Sequence, residues 1–281
     1  MKALILGGTG TLGKELTRQL TDRGYSVSVF SRCELKQKEM ASYFTGKDVS
    51  FRIGDIRDRE ALSAAMKGID VVFHCAALKH VDTLEFNPEE GVKTNVIGTM
   101  NVADAAVSQG VRYVAFSSTD KAVSPVNAYG MGKALSEKII LNRNRTQNTT
   151  LFSVFRWGNV VNSRGSVIPQ FAYAISNGRR VKITHPEMTR FWISIESAVC
   201  FMIDKYRSAD GVMIPPMKAA PVLQVVSAII AHMKAADTGV EFVGMRPGEK
   251  IHEEIELGRS SHSAEQYTHE ELKLLVSKAG I

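Results

Sequence analysis

The sequence predicts an α/β protein built on a doubly wound parallel (Rossmann) sheet, with a small C-terminal substrate-binding part. Three observations carry that expectation. The chain opens on a short apolar run, Lys2 to Leu6, that passes into a glycine-rich turn with Gly7, Gly10 and Gly13 and then into a helix-like run, Lys14 to Arg23. Apolar β-like runs then alternate with helical ones, the order expected of βαβ units. Near the middle of the chain, the run Val111 to Phe116 leads into Ser117, Ser118, Thr119, Asp120 and Lys121, with Tyr129 and Lys133 following on a helix. Polar groups so placed sit at the carboxyl end of a strand, where ligands bind in open α/β sheets.

Composition bounds the rest. With 281 residues, 44% hydrophobic and 23% charged, the chain can bury one large core and has the make-up of an ordinary globular protein. A net charge of +6 suits an anionic ligand. No block of Lys and Arg is dense enough to point to nucleic acid. Cys33, Cys75 and Cys200 are far apart with no CxxC spacing. They read as reduced thiols of a cytoplasmic protein, so neither a disulfide framework nor a metal site is expected. No apolar run approaches the roughly 18 residues of a membrane span, and residues 2 to 6 enter a strand directly in place of a signal peptide, so no membrane partner is expected.

Taken in order, Gly7, Gly10 and Gly13 permit a tight turn, a close approach to a pyrophosphate and close packing of helix on strand, with Thr9, Thr11 and Leu12 lining the same turn. A second strand, Tyr25 to Phe30, follows at the βαβ distance. Where an NAD protein usually carries an acid for the ribose, this chain has Ser31 and Arg32, with Lys36 one helical turn on. Arginine there suits a 2′-phosphate, so NADP is the expected cofactor; Glu34 keeps NAD as the second reading. The strand Val49 to Ile53 ends in Gly54, Asp55 and Ile56, placed for the adenine side. Asp58 is a helix cap for Arg59 to Met66. Asp70 to His74 reads as a fourth strand, and the small residues Ala76 and Ala77 after it let backbone approach the cofactor. Lys79 and His80 follow, either reaching the substrate or forming a charged loop pair. Asn87 and Pro88 start a long helix, Glu89 to Ser108, in which Asn95 could hold backbone or a water near the site.

Tyr129 and Lys133 are four residues apart, which places both on one helical face. A buried ammonium beside a phenol favours the phenolate and lowers a pKa of about 10, making Tyr129 a candidate base for a sugar or alcohol hydroxyl. That spacing also arises by chance on many helix surfaces, and its weight comes from the residues around it. A further strand, Thr150 to Phe155, precedes Asn159 and then Asn162, Arg164 and Gly165 before a helix from Gln170. A loop of that make-up suits a second anionic group such as a nucleotide diphosphate. Arg190, within Met188 to Trp192, and Arg246 and Lys250, within Met245 to Lys250, read as further basic loops. Ser260 to Ser263 reads as a polar connector to a last helix, Thr268 to Lys278. The expected division is a cofactor domain, 1–157, with 190–207 returning to it, and a nucleotide-sugar part formed by 158–189 and 208–281.

Gly7, Gly10 and Gly13 with Tyr129 and Lys133 resemble the extended short-chain dehydrogenases/reductases. The runs Ala77 to Val81, Ser118 to Lys121, Asn159 to Ser166, Met188 to Trp192 and Arg246 to Lys250 more narrowly resemble the inverting UDP-N-acetylglucosamine 4,6-dehydratases of the polysaccharide-biosynthesis type. The resemblance runs from Met1 to about Glu254. The chain departs from that pattern in being short after Leu257 and in having no membrane segment.

The resemblance implies a UDP-linked substrate and a homo-oligomer, a dimer or a hexamer, with helix pairing through Glu89 to Ser108 and Tyr129 to Leu141. It also implies roles. Tyr129, with Lys133, would take the C4 hydroxyl proton as NADP+ takes the C4 hydride, and Thr119 would bond O4. Lys121 would take the C5 proton, and Asp120 would protonate the departing C6 hydroxyl. Hydride would return to C6 and a proton to the opposite face of C5, giving inversion. An epimerase or reductase of the same fold would need only Thr119, Tyr129 and Lys133; a non-catalytic NADP-sensing regulator would need no Tyr/Lys pair.

Overall fold

A computed structural model describes residues 1–281 apart from 162, 208–210 and 280, so Asn162 of the loop read above lies outside the described residues. The chain begins as a strict alternation: β1 (Lys2–Leu6), α1 (Thr11–Asp22), β2 (Ser26–Ser31), α2 (Glu34–Tyr43), β3 (Val49–Ile53), α3 (Arg59–Met66) and β4 (Val71–His74). The helical region α4 (Val81–Phe86), α5 (Pro88–Gly91) and α6 (Gly98–Ser108) leads to β5 (Tyr113–Thr119), then α7 (Ala128–Thr146) and β6 (Leu151–Trp157). After them come β7 (Asn159–Val160), α8 (Val167–Ser176), β8 (Val181–Ile183), β9 (Thr189–Ile193), α9 (Ile195–Lys205), β10 (Gly211–Met213), β11 (Lys218–Pro221) and α10 (Val222–Met233). The chain closes with β12 (Val240–Phe242), β13 (Glu254–Glu256), β14 (Arg259–Ser260) and α11 (His269–Ser277).

Seven strands form one parallel sheet in the order β10-β6-β5-β4-β1-β2-β3. The order reverses between β1 and β4, which opens a crevice outside their carboxyl ends. Because side chains alternate across a strand, Ala3 and Ile5 face one side, with Leu16 and Leu20 of α1 and Met202 of α9, while Leu4 and Leu6 face the other, with Leu62, Val102 and Ile140 of α3, α6 and α7. Each fully buried aliphatic side chain of this kind contributes about 1.5–3 kcal/mol. Asp58 caps α3 as expected, its carboxylate accepting from the Glu60 and Ala61 amides at 3.0 Å.

Three expectations need correcting. The helix from 89 to 108 is interrupted by one π-helical turn, Val92–Ile97, whose widened backbone carries Asn95 inward. The segment returning to the main sheet extends beyond 207, since Gly211–Met213 pairs with β6 as the edge strand. Met188 to Trp192 is not a loop: Thr189–Ile193 is a fully buried strand in a second sheet, β11-β9-β7, because its apolar residues fill the space between the two cores. That sheet, α8, α10 and α11 bury a separate apolar cluster including Phe171, Ile183, Val225 and Leu272. Among the described residues no helix is long and apolar enough to cross a membrane.

Candidate active site

The turn after β1 is built to receive a phosphate. Gly7 has φ +78°, and a Cβ on it would lie 2.8 Å from the Ala76 backbone; a Cβ on Gly13 would overlap the Gly8 backbone. The Gly10 amide donates to the Gly7 carbonyl at 2.9 Å, closing the turn. Gly10 caps α1 with no side chain, and no acid occupies the first turn of the helix, so its leading amides are left for an anion. A dinucleotide pyrophosphate fits this turn, with Thr9 buried and Thr11 and Leu12 half-buried beside it. At the end of β2, the Ser31 hydroxyl accepts from Gln37 Nε2 at 3.0 Å. Arg32 is 57% exposed, 3.8 Å from Asp55 Oδ2, and Lys36 is exposed on α2. Asp55 is held by Arg57, which donates to Oδ2 from Nη2 at 2.7 Å. Its burial raises the carboxyl pKa, but the bonds from Arg57 outweigh that and lower it. Ile56 is buried against α6.

Across the crevice, β5 ends at Thr119 and breaks into a 3₁₀ turn, Asp120–Ala122. Gly130 lets α7 start close under that turn: a Cβ there would overlap the Lys121 carbonyl. Asn127 caps α7, accepting from the Gly130 amide at 2.7 Å. Asp120 is fully buried, and its Oδ1 accepts from the Thr119 hydroxyl at 3.0 Å and from Lys121 Nζ at 3.1 Å. Its Oδ2 is buried with no hydrogen-bond partner among the described residues. Burial pushes the Asp120 carboxyl pKa up, joined by the nearby Glu253 and opposed by Lys121. That is the direction a general acid needs. Burial works against the charge on Lys121, but the Asp120 and Glu253 carboxylates outweigh it, and the ammonium is pushed up to about 12.

Tyr129 faces the same cluster. Burial pushes its phenol up to about 12; Lys121 and a hydrogen bond with Thr119 oppose that rise, and Asp120 adds to it. This corrects the expectation that Lys133 sets the phenol. Lys133 does lie on the same helix, but its Nζ is drawn to the Ser117 carbonyl, 2.7 Å away, and to the face of Phe116. Behind β5, Ser118 Oγ donates to Glu137 Oε1 at 2.5 Å, and Glu137 is paired with Arg156 at 2.5 Å. Asn95, in the π-helical turn, accepts from the Leu78 amide and donates to its carbonyl, both at 2.8 Å. The loop after β4, with Ala76 and Ala77, is thereby fixed beside the glycine turn.

The remaining basic residues divide into two groups. Lys79 and His80 are exposed at the mouth, and a Cβ on Gly165 would overlap the His80 ring, which places the Arg164 loop against them. Arg164 itself reaches the glycine turn: its amide donates to Thr11 Oγ1 at 3.0 Å and its guanidinium to the Thr9 carbonyl at 3.2 Å. Asn159 starts the second sheet, opposite Trp192. Arg190 is buried, with its guanidinium donating to the Thr189, Lys250 and Ile251 carbonyls, so it pins the 250s segment through backbone. Lys250 Nζ donates to the Val123 carbonyl at 2.8 Å, while Arg246 is exposed.

Sequence reasoning missed Glu253, whose Oε1 lies 3.4 Å from Lys121 Nζ. A signal was present: Ile251, Glu253 and Ile255 alternate, which puts an acid on the inward face of an apolar strand pattern. Arg57, the partner of Asp55, was also missed. Among the described residues no group of His, Cys, Asp and Glu is arranged to hold a metal ion.

Comparison with known proteins places this geometry. A family model described as polysaccharide biosynthesis protein matches residues 3–274. The chain is 42% identical over 266 residues to a UDP-N-acetylglucosamine 4,6-dehydratase (inverting) of Campylobacter jejuni, covering 92% of this chain and 78% of that one. It is 37% identical over 260 residues to a UDP-glucose 4-epimerase of Rickettsia prowazekii, covering 90% and 76%. Among solved structures, that of Pen from Bacillus thuringiensis superposes with a TM-score of 0.93 at 32% identity, over 98% of this chain and 97% of that one.

Proposed function

The chain belongs to the polysaccharide biosynthesis protein family, and from that membership we propose that it is an NADP-dependent 4,6-dehydratase of a UDP-N-acetylhexosamine, UDP-N-acetylglucosamine first, with inversion at C5. One observation carries the reading. A fully buried carboxyl and an ammonium sit 3.1 Å apart beside Tyr129, at the carboxyl end of β5. Removal of a hydroxyl from C6 needs an acid for the oxygen and a base for the C5 proton, whereas moving hydride at C4 needs neither.

A nicotinamide cofactor, when bound, supplies hydride acceptance at C4 and hydride return at C6. The protein's residues do the rest. Tyr129 takes the C4 hydroxyl proton as its phenolate, the form that Lys121 and the Thr119 hydrogen bond favour against burial, and Thr119, which reaches both the phenol and Asp120, orients O4. The resulting ketone acidifies C5, Lys121 takes the C5 proton, and Asp120 gives its own to the C6 hydroxyl. Burial pushes the Asp120 carboxyl up from its ordinary value, the direction that favours holding that proton. Arg32 and Asp55 receive the adenosine end, Arg32 toward a 2′-phosphate. Lys79, His80, Arg164 and Lys250 line the side from which a nucleotide diphosphate enters, with Asn159, Arg190 and Arg246 supporting the same part, 158–189 and the C-terminal segments. The reading places the protein in the cytoplasm as a homo-oligomer.

The similarity to a UDP-glucose 4-epimerase favours one second reading, a nucleotide-sugar 4-epimerase of the same fold. Incubation with UDP-N-acetylglucosamine and NADP+ followed by mass spectrometry separates them. A dehydratase product has lost one water; an epimerase product keeps the substrate mass.

A further inference from the structure

The buried acid that the mechanism above leaves idle is Glu253. It is 3% exposed at the side chain and stands just before β13, fastened through backbone. Its amide donates to Ser261 Oγ at 3.0 Å, and the Ser261 amide donates to its carbonyl at 2.8 Å. Glu253 Oε1 is 3.4 Å from Lys121 Nζ, and Oε2, 3.7 Å from Lys250 Nζ, has no hydrogen-bond partner among the described residues. A carboxylate removed from water needs a reason to be there. The ammonium of Lys121 is thus within reach of two buried carboxyl groups, on the 3₁₀ turn and before β13, with Arg190 of β9 and Tyr129 of α7 as the other ionisable groups facing it.

We propose that Glu253 is the third member of this acid-base cluster: acting through Lys121, it takes the ammonium proton so that Lys121 can serve as base while Asp120 keeps the proton it gives to the leaving hydroxyl. The inference rests on the dehydratase reading. The dehydratase reading requires Asp120 to keep its proton for the leaving hydroxyl, and an Asp120 that keeps it cannot accept the ammonium proton. Glu253 Oε1, 3.4 Å from Nζ, can.

The proton count closes. At rest Asp120 is neutral, Lys121 is an ammonium and Glu253 is a carboxylate. Lys121 passes its proton to Glu253. The C5–H bond then breaks, its proton goes to Nζ, its electron pair forms the C5–C6 double bond, and the C6–O bond breaks as the oxygen takes the proton of Asp120 and leaves as water. Lys121 next protonates Asp120, and Glu253 returns its proton to Lys121. No outside acid or base enters the elimination; the proton later added to the opposite face of C5 comes from solvent water, balanced by the C4 hydroxyl proton that Tyr129 releases. Glu253 touches neither sugar nor cofactor in this scheme and is a positioning residue.

The first test needs no substrate. Competitive labelling with fluorodinitrobenzene across a pH series, read peptide by peptide, gives the midpoint at which Lys121 becomes reactive. In the unsubstituted protein it should lie above that of the exposed lysines, and in Glu253→Gln it should fall by about one pH unit, because the anionic neighbour is gone. Glu253→Asp, which keeps the charge, should return most of that shift.

The second test is a single turnover with UDP-N-acetylglucosamine and NADP+. In Glu253→Gln, reduced nicotinamide absorbance should still build, and its decay should slow by about tenfold or more. A folded Glu253→Gln protein with an unmoved Lys121 midpoint, or with decay at the parent rate, overturns the proposal. If that variant does not fold, an ordinary Lys121 midpoint in the parent overturns it equally, and a raised midpoint that Glu253→Asp lowers in part supports it. Failure of the dehydratase reading shows separately: the parent would form no product lighter by one water, whatever the labelling gives.

Discussion

Lys133 Nζ donates to the Ser117 carbonyl at 2.7 Å and lies 4.3 Å from the centroid of the Phe116 ring, so one buried ammonium ties α7 to the last residues of β5. Burial pushes that ammonium down to about 8 from 10.5, with Cys75 and Glu137 opposing. Below pH 8 it is charged both folded and unfolded, and the cost of burying it, on the order of 3 kcal/mol, is fully present. As pH rises from 8 toward 10.5 the unfolded chain binds the proton longer than the folded one, and the cost is relieved. Cys75 acts in the other direction, since burial pushes its thiol up to about 12 from 9.0, and stability from that group falls above pH 9. Between pH 7 and 9, therefore, the Tm of the parent should rise relative to Lys133→Met. A gap that stays constant over that range would contradict the burial of a titrating lysine.

Cofactor choice turns on Arg32. It is the first residue after β2, 57% exposed, and its 3.8 Å contact with Asp55 leaves the guanidinium at the edge of the crevice. Arg32→Ala should weaken NADP+ binding by about tenfold or more while changing NAD+ by a few-fold at most, since a guanidinium pairs with phosphate in two-pronged fashion and has no such partner on a ribose hydroxyl. Calorimetric titration with both cofactors checks this. Equal losses would remove the argument for NADP.

Assembly is expected through the π-helical turn, α6 and α7, where α6 and α7 pack on each other and Ile97 of the turn, Met100, Met131 and Leu135 are exposed. Apolar side chains grouped on adjoining helices are suited to a second copy of the chain. Light scattering at micromolar concentration should give at least a dimer, and Met131→Glu with Leu135→Glu should shift it to the monomer mass while the circular dichroism spectrum stays unchanged. A monomeric parent would refute the interface.

What was legible in the sequence followed from local chemistry. Gly7, Gly10 and Gly13 between an apolar strand and a helix announced a phosphate turn, and Asp58 announced its own helix, because both signals are written within a few adjacent residues. Arg190 misled because a cation between Thr189 and Phe191 looks solvated in sequence; only the fold shows three backbone carbonyls converging on it. The same holds for Lys133, whose spacing from Tyr129 placed the Cα atoms correctly and could not say that Nζ turns back to Ser117. Glu253 is 132 positions from Lys121, and no spacing rule joins residues that the fold brings together from a turn and a distant segment.

The dehydratase reading is tested most sharply at Lys121 and Asp120, because these two residues distinguish elimination from hydride movement alone. Lys121→Met leaves Tyr129 and Lys133 in place, so the first hydride transfer should proceed and the C5 proton should stay where it is. Reduced nicotinamide and a 4-keto sugar should then accumulate, with elimination slowed by roughly 10²- to 10⁴-fold, the usual worth of one positioned general base. Asp120→Asn should accumulate the same species for a different reason: the base remains, so solvent deuterium should enter C5, yet the C6 hydroxyl lacks its proton donor. Tyr129→Phe should show no nicotinamide absorbance at all, since the first proton transfer fails. Stopped-flow absorbance with UDP-N-acetylglucosamine, followed by mass spectrometry of the quenched sugar, reads all three. If Lys121→Met forms the product lighter by one water at the parent rate, Lys121 is a partner of Glu253 and Asp120 with no part in elimination; if the parent's product keeps the substrate mass, the 4-epimerase reading takes its place.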